Sequence, residues 1–231
     1  MGNFLSQEGL ASRIVPVKGG DQVNTELMYR NMMTKFKFGG IENPKVYIDE
    51  NKLRFTTSLR RQFGVLADAL IAEGKRDSAL AVLDYCQEKV PAKTVNHNYG
   101  SFGLMESYYN LAYQYTNQYT KLSELKQSGK MDTLINSIKD SADELKNKAE
   151  HARQEGDAIW NALYTTSSQY LAWLNALDSS KLRSATSDFA HHFRIYRALL
   201  SLKSEDGKLN PEDAGMYGKY SETAKRLGLI R

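Results

Sequence analysis

Apolar and polar positions alternate along this chain with the period of an α-helix, most clearly between residues 60 and 91. Apolar residues recur there every three or four positions, as one buried helix face requires. They form two stretches, with Phe63, Leu66, Ala67 and Leu70 in the first and Ala79, Leu83 and Cys86 in the second. Gly74 lies between the stretches and Pro91 follows the second. The pattern predicts two antiparallel helices at residues 58–73 and 76–90.

The order of large, small and helix-breaking residues in this hairpin is that of one tetratricopeptide repeat, which is about 34 residues long. A lone repeat cannot bury both of its faces, so the later helices must pack against it. Apolar stripes predict further helices at residues 25–38, 103–127, 132–178 and 180–203, a short one from Pro211 and a last stretch at 217–227, with a loop at 41–58. Gly156 could kink or end the segment that begins near Asp132, and the periodicity does not decide between them. We therefore expect seven or eight helices and little or no sheet, which is an all-α fold of antiparallel helical hairpins.

The same patterns predict three parts of the chain. Residues 1–22 are an entry segment or a linker from a missing upstream region, and the apolar stretch 11–17 has the character of an extended arm. Residues 23–98 contain one helix and the tetratricopeptide-like hairpin. Residues 99–231 contain helices longer than such a repeat permits. We expect a repeat-like N-terminal half that merges into a bundle of longer helices with a shared core.

Composition and charge exclude several classes of protein. The 31 basic and 27 acidic residues give a net charge of +4, which is too small and too scattered to indicate nucleic-acid binding. The single cysteine, Cys86, excludes an internal disulfide and a cysteine-based zinc site, and we expect it to be a buried, inert thiol. No run of about 18 apolar residues and no signal-peptide pattern is present. These features fit a cytoplasmic protein or a soluble piece of a longer one.

Candidate chemistry is sparse. His191 and His192 follow Asp188 on one predicted helix, so a carboxylate and an imidazole could share a face. Metal sites need three or four ligands, and the sequence supplies no further cluster for them. A helical hydrolase or metal enzyme would need these three residues to meet more ligands, whereas a solvated helix face explains them without any. We predict no catalytic residue, no metal site and no cofactor.

Tyrosines provide the candidate binding surface. Tyr108, Tyr115 and Tyr119 share one stripe of the helix at 103–127, while Tyr109 and Tyr113 share another side. One set can lie in the core while the other lines a groove, since tyrosine offers a large contact area and a hydroxyl group. The candidate groove residues are Tyr109, Tyr113, Tyr108 and Tyr115. Packing between helices is the competing interpretation for each of them.

The first ninety residues carry a series of blocks in a recognisable order. They are RIVP at 13–16, ELMYRNMM at 26–33, KFKFGG at 35–40, VYIDEN at 46–51 and LRRQF at 59–63, followed by the hairpin with Leu83 and Asp84. Together they resemble the soluble C-terminal region of a family of bacterial multi-spanning membrane proteins. That family, formerly of unknown function, is grouped with membrane glycosyltransferases similar to protein O-mannosyltransferases. The resemblance covers about residues 10–95.

The resemblance implies a fragment whose catalytic, membrane-embedded part lies upstream. The fragment would lie on the periplasmic side of the inner membrane and would contact the membrane only through that missing segment. It would be a non-catalytic accessory domain that binds an acceptor protein or a partner subunit. The alternative is a free-standing cytoplasmic repeat adaptor for protein–protein interaction.

Overall fold

The computed structural model describes residues 5–16, 22–127, 142–203 and 209–230. Within them the chain is all-α, as the sequence predicts. This part contains eight α-helices: α1 (Thr25–Arg30), α2 (Glu50–Ala72), α3 (Arg76–Lys89), α4 (Phe102–Gln127), α5 (Ala142–Asn175), α6 (Ser179–Ser184), α7 (Thr186–Lys203) and α8 (Pro211–Arg226). The chain folds into two compact units, Met1–Ile159 and Trp160–Arg231. This division falls inside α5 rather than near residue 98, where the sequence pattern changes.

The hairpin of α2 and α3 is the centre of the first unit. Gly74 forms the turn at a φ of +77°, a conformation that favours glycine. The apolar positions of the predicted stripe are buried as one core, with Phe63, Leu66, Ala67, Ala79, Leu83 and Cys86 all at 0 % exposure. Cys86 is a buried free cysteine, as predicted, and burial raises the pKa of its thiol to about 12.

Two helix boundaries near the N-terminus differ from the prediction. α2 begins at Glu50, inside the predicted loop, because the Asp49 carboxylate accepts a hydrogen bond from the Lys52 amide at 2.9 Å. Asp49 of the predicted loop is therefore a helix N-cap, a position that favours the same residue types as turns. The helix expected to reach Phe38 comprises α1 and a π-helical turn, Asn31–Lys35, after which Phe36 is extended.

The entry segment forms a small sheet. Its strands are β1 (Leu5–Gln7), β2 (Ser12–Ile14) and β3 (Gln22–Val23), in the order β2-β1-β3. β1 pairs with β2 in antiparallel and with β3 in parallel orientation. Side chains tie this sheet to the helices, since Gln7 Nε2 donates to Gln62 Oε1 of α2 at 3.2 Å and Asn31 Nδ2 donates to the Glu8 carbonyl at 2.9 Å.

α4 and the first half of α5 complete the first unit. α4 starts within one residue of its predicted position and crosses α2 closely at two glycines, Gly64 and Gly103. α5 runs unbroken through Gly156, which answers the question that periodicity left open. The predicted start of this segment near Asp132 lies outside the described residues.

The second unit packs the end of α5 against α6, α7 and α8. Its core contains Leu171, Leu174, Leu182, Phe189, Phe193, Tyr196, Leu200, Tyr220 and Ala224. The single helix predicted at 180–203 is divided at Ala185, where φ is −97° and ψ is 19°. α8 starts at Pro211 behind an Asn210 cap, as predicted, but continues as one helix where two short stretches were expected.

Candidate binding surface

Two of the four candidate tyrosines lie in the core of the first unit. Tyr108 is 0 % exposed and Tyr115 is 1 % exposed. The Tyr108 hydroxyl donates to Asp84 at 2.9 Å, and the Tyr115 hydroxyl donates to Asp77 at 2.7 Å. Burial, reinforced by the Asp84 charge, raises the pKa of Tyr108 well above its usual value. Their rings have no surface left for a partner, so these two residues join α4 to α3.

Tyr109 packs against α5. Its hydroxyl donates to Asp157 at 2.8 Å, and burial raises its pKa. The ring lies over Gly156, where an added Cβ would approach Tyr109 Cε1 to 3.0 Å. Gly156 is therefore a contact point for the ring inside a continuous helix.

Tyr113 is the exposed member of the set, with 69 % of its surface accessible. The four tyrosines do not line one groove, because two are buried and a third is covered by α5. The sequence places Tyr108 and Tyr115 on a different side of the helix from Tyr109 and Tyr113, but it does not show which side is buried, since the carboxylate partners of the buried rings are distant in sequence. A binding role for Tyr113 stays a prediction.

The histidine pair lies in the second unit, beside exposed aromatic side chains. The His192 ring centroid is 4.3 Å from that of Tyr170 and 5.2 Å from that of His191. Burial and the neighbouring His191 lower the pKa of His192. Trp173, 55 % exposed, packs on Tyr170 with a centroid separation of 5.4 Å. Among the described residues, no group of three or more His, Cys, Asp or Glu side chains could hold a metal ion.

An apolar cavity in the first unit was not predicted. It has a volume of about 280 Å³ and lies between the β1–β2 turn, the segment after the π-helical turn and the start of α2. Its lining residues are Leu10, Lys35, Phe36, Lys37, Phe38, Ile41, Phe55 and Leu59. Phe55 is 52 % exposed, whereas Phe38 is anchored on the hairpin by ring contacts with Phe63 at 6.3 Å and Tyr85 at 5.8 Å. We call this site the phenylalanine cavity.

A second, more open cavity of about 450 Å³ adjoins the first. It is lined by Glu8, Gly9, Leu10, Ala11, Ser12, Arg13, Asn31, Lys35 and Phe36. Three of these residues, Leu10, Lys35 and Phe36, also line the phenylalanine cavity, so the two cavities lie side by side, and we call them together the groove. Gly9 has a φ of +148°, and an added Cβ there would lie 3.3 Å from Phe36 Cζ. Glycine thus allows the β1–β2 turn to lie directly against the Phe36 ring.

One sequence signal could have identified the groove. The KFKF run at 35–38 alternates cationic and aromatic residues with a period of two, which is typical of an extended segment with one apolar side. The prediction of a helix to Phe38 assigned this run to a helix end and therefore missed the groove. Arg13, whose guanidinium lies 3.1 Å from the Glu8 carboxylate, adds a third cation to the lining.

No helix of the described residues is long and apolar enough to cross a membrane. Comparison with known proteins found no matching family model, no matching curated protein and no matching solved structure.

Proposed function

We propose that this chain is a non-catalytic interaction domain that binds a partner protein through the phenylalanine cavity. The observation that carries the proposal is the exposure of Phe55. About half of this side chain is accessible to solvent, and it lines the cavity together with Phe36, Phe38 and Ile41. Apolar pockets with aromatic walls and a charged rim are typical of the central part of a protein–protein interface. Lys35 and Lys37 supply such a rim.

We further propose that the domain belongs to a membrane-bound glycosyltransferase-like protein. The resemblance of residues 10–95 supports this role, and its blocks converge on the groove. RIVP contributes Arg13, KFKFGG contributes Lys35 to Phe38, and LRRQF contributes Leu59. In this proposal the domain lies on the periplasmic side of the inner membrane and holds an acceptor protein or a partner subunit near the membrane active site.

The natural reading frame tests the membrane association. Several apolar segments of about 20 residues upstream of residue 1 are expected. A natural start codon at Met1 would contradict this part of the proposal and favour the free-standing cytoplasmic adaptor.

Site-specific crosslinking tests the binding role. A photoreactive phenylalanine analogue replaces Phe55 in the full-length protein in its native host, and crosslinked partners are identified by mass spectrometry. The control carries the same analogue at Lys121, which is exposed on α4 and does not line the cavity. We expect one or a few proteins to crosslink at position 55 only. Identical adducts at both positions, or none at position 55, would contradict a binding role for the cavity.

A further inference from the structure

The outer edge of β2 lies beside the groove. In the sheet order β2-β1-β3, β2 has a neighbour on one side only, and the described residues provide no further strand. Ser12, Arg13 and Ile14 are all exposed, with Ile14 at 80 %. An edge strand directs a row of backbone N–H and C=O groups away from the sheet, where another extended chain can pair with them. This short strand is therefore a site at which a peptide can add.

The groove begins at this edge. Ser12 and Arg13 of β2 line the open cavity, which shares the lining residues Leu10, Lys35 and Phe36 with the phenylalanine cavity. Alternate side chains of a paired strand point to opposite faces, at about 3.3 Å of rise per residue. A peptide paired with β2 can therefore direct alternate side chains toward the groove. The phenylalanine cavity, at about 280 Å³, is slightly below the roughly 300–1,000 Å³ of small-molecule sites, a size that suits a single large side chain.

The charge of the groove selects the peptide. Its lining includes three cations, Arg13, Lys35 and Lys37, and one carboxylate, Glu8. Glu8 is bound to Arg13, and Lys35 and Lys37 are both exposed. Acidic side chains next to these two lysines would be attracted, and basic ones repelled. A second copy of this chain fits poorly, because antiparallel pairing of β2 with itself would place two Arg13 side chains opposite each other.

We propose that β2 and the adjoining groove bind an extended, acidic peptide segment of a partner protein, which adds as an antiparallel or parallel strand and inserts one aromatic or large aliphatic side chain into the phenylalanine cavity. This inference specifies the partner of the interaction role proposed above and rests on it. Backbone pairing supplies the affinity in such a complex, while the cavity and the lysines supply the specificity.

Synthetic peptides test the inference with the full chain. The probe is fluorescein-labelled Glu-Thr-Glu-Thr-Phe-Thr-Glu-Thr, whose acidic and aromatic side chains share one face when the peptide is extended. Its binding is followed by fluorescence anisotropy. Three comparison peptides are used: one replaces every Glu with Lys, and the other two carry methyl groups on alternate backbone nitrogens, in each of the two possible phases. We expect the acidic peptide to bind, the basic peptide to bind at least tenfold more weakly, and one N-methylated phase to lose binding at least tenfold. Equal binding of all the peptides, or of none, would overturn the inference.

Protein variants locate the site. The double substitution Lys35→Glu and Lys37→Glu should weaken binding of the acidic peptide at least tenfold, and the loss should shrink as salt is added. Lys121→Glu, a charge reversal on an exposed lysine of α4, should leave binding unchanged. An equal effect of both changes would overturn the inference, and so would binding of the chain to phosphatidylglycerol vesicles without any binding of the peptide. If crosslinking at Phe55 still captures a partner while acidic peptides fail to bind, the strand-addition mode is wrong and the binding role of the cavity stands.

Discussion

Replacing Arg60 with methionine should destabilise the first unit severely, because the guanidinium of Arg60 binds three backbone carbonyls of one loop. Arg60 is 0 % exposed in α2. Its guanidinium donates to the backbone carbonyls of Asn96 and Val90, each at 2.8 Å, and of Val95 at 2.5 Å. Burial lowers the pKa of Arg60 to about 10, so the group stays charged at neutral pH. One side chain thus holds the loop after α3 against α2.

The size of the destabilisation follows from the hydrogen bonds that a methionine side chain cannot donate. Hydrogen bonds to a charged group contribute about 1.5–3 kcal/mol each, and three carbonyls would lose their donor. Burying the guanidinium offsets part of the stabilisation from these hydrogen bonds, since its desolvation costs several kcal/mol. We expect a net loss of about 2–4 kcal/mol in the free energy of unfolding for Arg60→Met, because the unpaired carbonyls of Val90 and Val95 remain buried.

The assay is urea denaturation at neutral pH, followed by far-ultraviolet circular dichroism. Arg61→Met is the matched control, since Arg61 is the exposed neighbour on the same helix. A surface change of this kind should alter stability by no more than about 0.5 kcal/mol. Both tryptophans, Trp160 and Trp173, lie in the second unit, so their fluorescence reports the unfolding of that unit. Equal effects of the two substitutions would refute the role assigned to Arg60.

Three further predictions concern packing, protonation and the tyrosines. Gly64→Ala should reduce stability by about 1–3 kcal/mol, because its Cβ would lie 3.0 Å from the Gly103 backbone, whereas Gly103→Ala has 3.9 Å of room and should not destabilise. Thermal melts compare the two, and equal melting temperatures would contradict close packing at this crossing. Burial, with a smaller contribution from Arg60, lowers the pKa of His97 from 6.5 to about 4. As the pH falls, the unfolded chain therefore binds the proton on this residue before the folded chain does. The free energy of unfolding should therefore fall by about 3 kcal/mol between pH 6.5 and pH 4 through this residue, and His97→Gln should remove that part of the slope in a pH series of urea titrations. Tyr108→Phe should cost about 1–2 kcal/mol by removing the donor to Asp84, while Tyr113→Phe should cost nothing measurable in the same titrations.

Helix positions were predictable where the signals are local. α4 begins within one residue of the predicted position, and α8 begins at Pro211 behind its Asn210 cap, because stripes and caps are encoded within a few neighbouring residues. The interruption at Ala185 was not predictable, since alanine is the best helix former and no glycine or proline marks the site. The Asp178 side chain caps α6, and the hydrophobic periodicity continues across Ala185 without marking the break.

The candidate site was less predictable than the helices because its contacts are distant in sequence. The phenylalanine cavity combines Leu10 of the β1–β2 turn, the segment around Phe36 and the first turns of α2 around Phe55. Leu10 and Phe55 are exposed, whereas Phe36 and Phe38 are partly buried, and isolated exposed apolar residues of this kind are ordinary on a surface. Only the fold brings them together, and a pattern within a single window cannot show it.

A hydrogen-bond partner for the hydroxyl group distinguishes the tyrosines that pack between helices from the exposed aromatic residues. Four of them donate to aspartates on other helices: Tyr108 to Asp84, Tyr115 to Asp77 and Tyr109 to Asp157 in the first unit, and Tyr164 to Asp213 in the second. A buried tyrosine requires a partner for its hydroxyl, and an aspartate at a helix surface satisfies it while remaining partly hydrated. Four of the fourteen tyrosines therefore join one helix to another. Phe55 differs because it has no polar atom to satisfy and remains half exposed at the mouth of a cavity. Its exposure contributes nothing to helix pairing, and for that reason the groove at β2, rather than the tyrosine helix, is the surface at which we expect a partner.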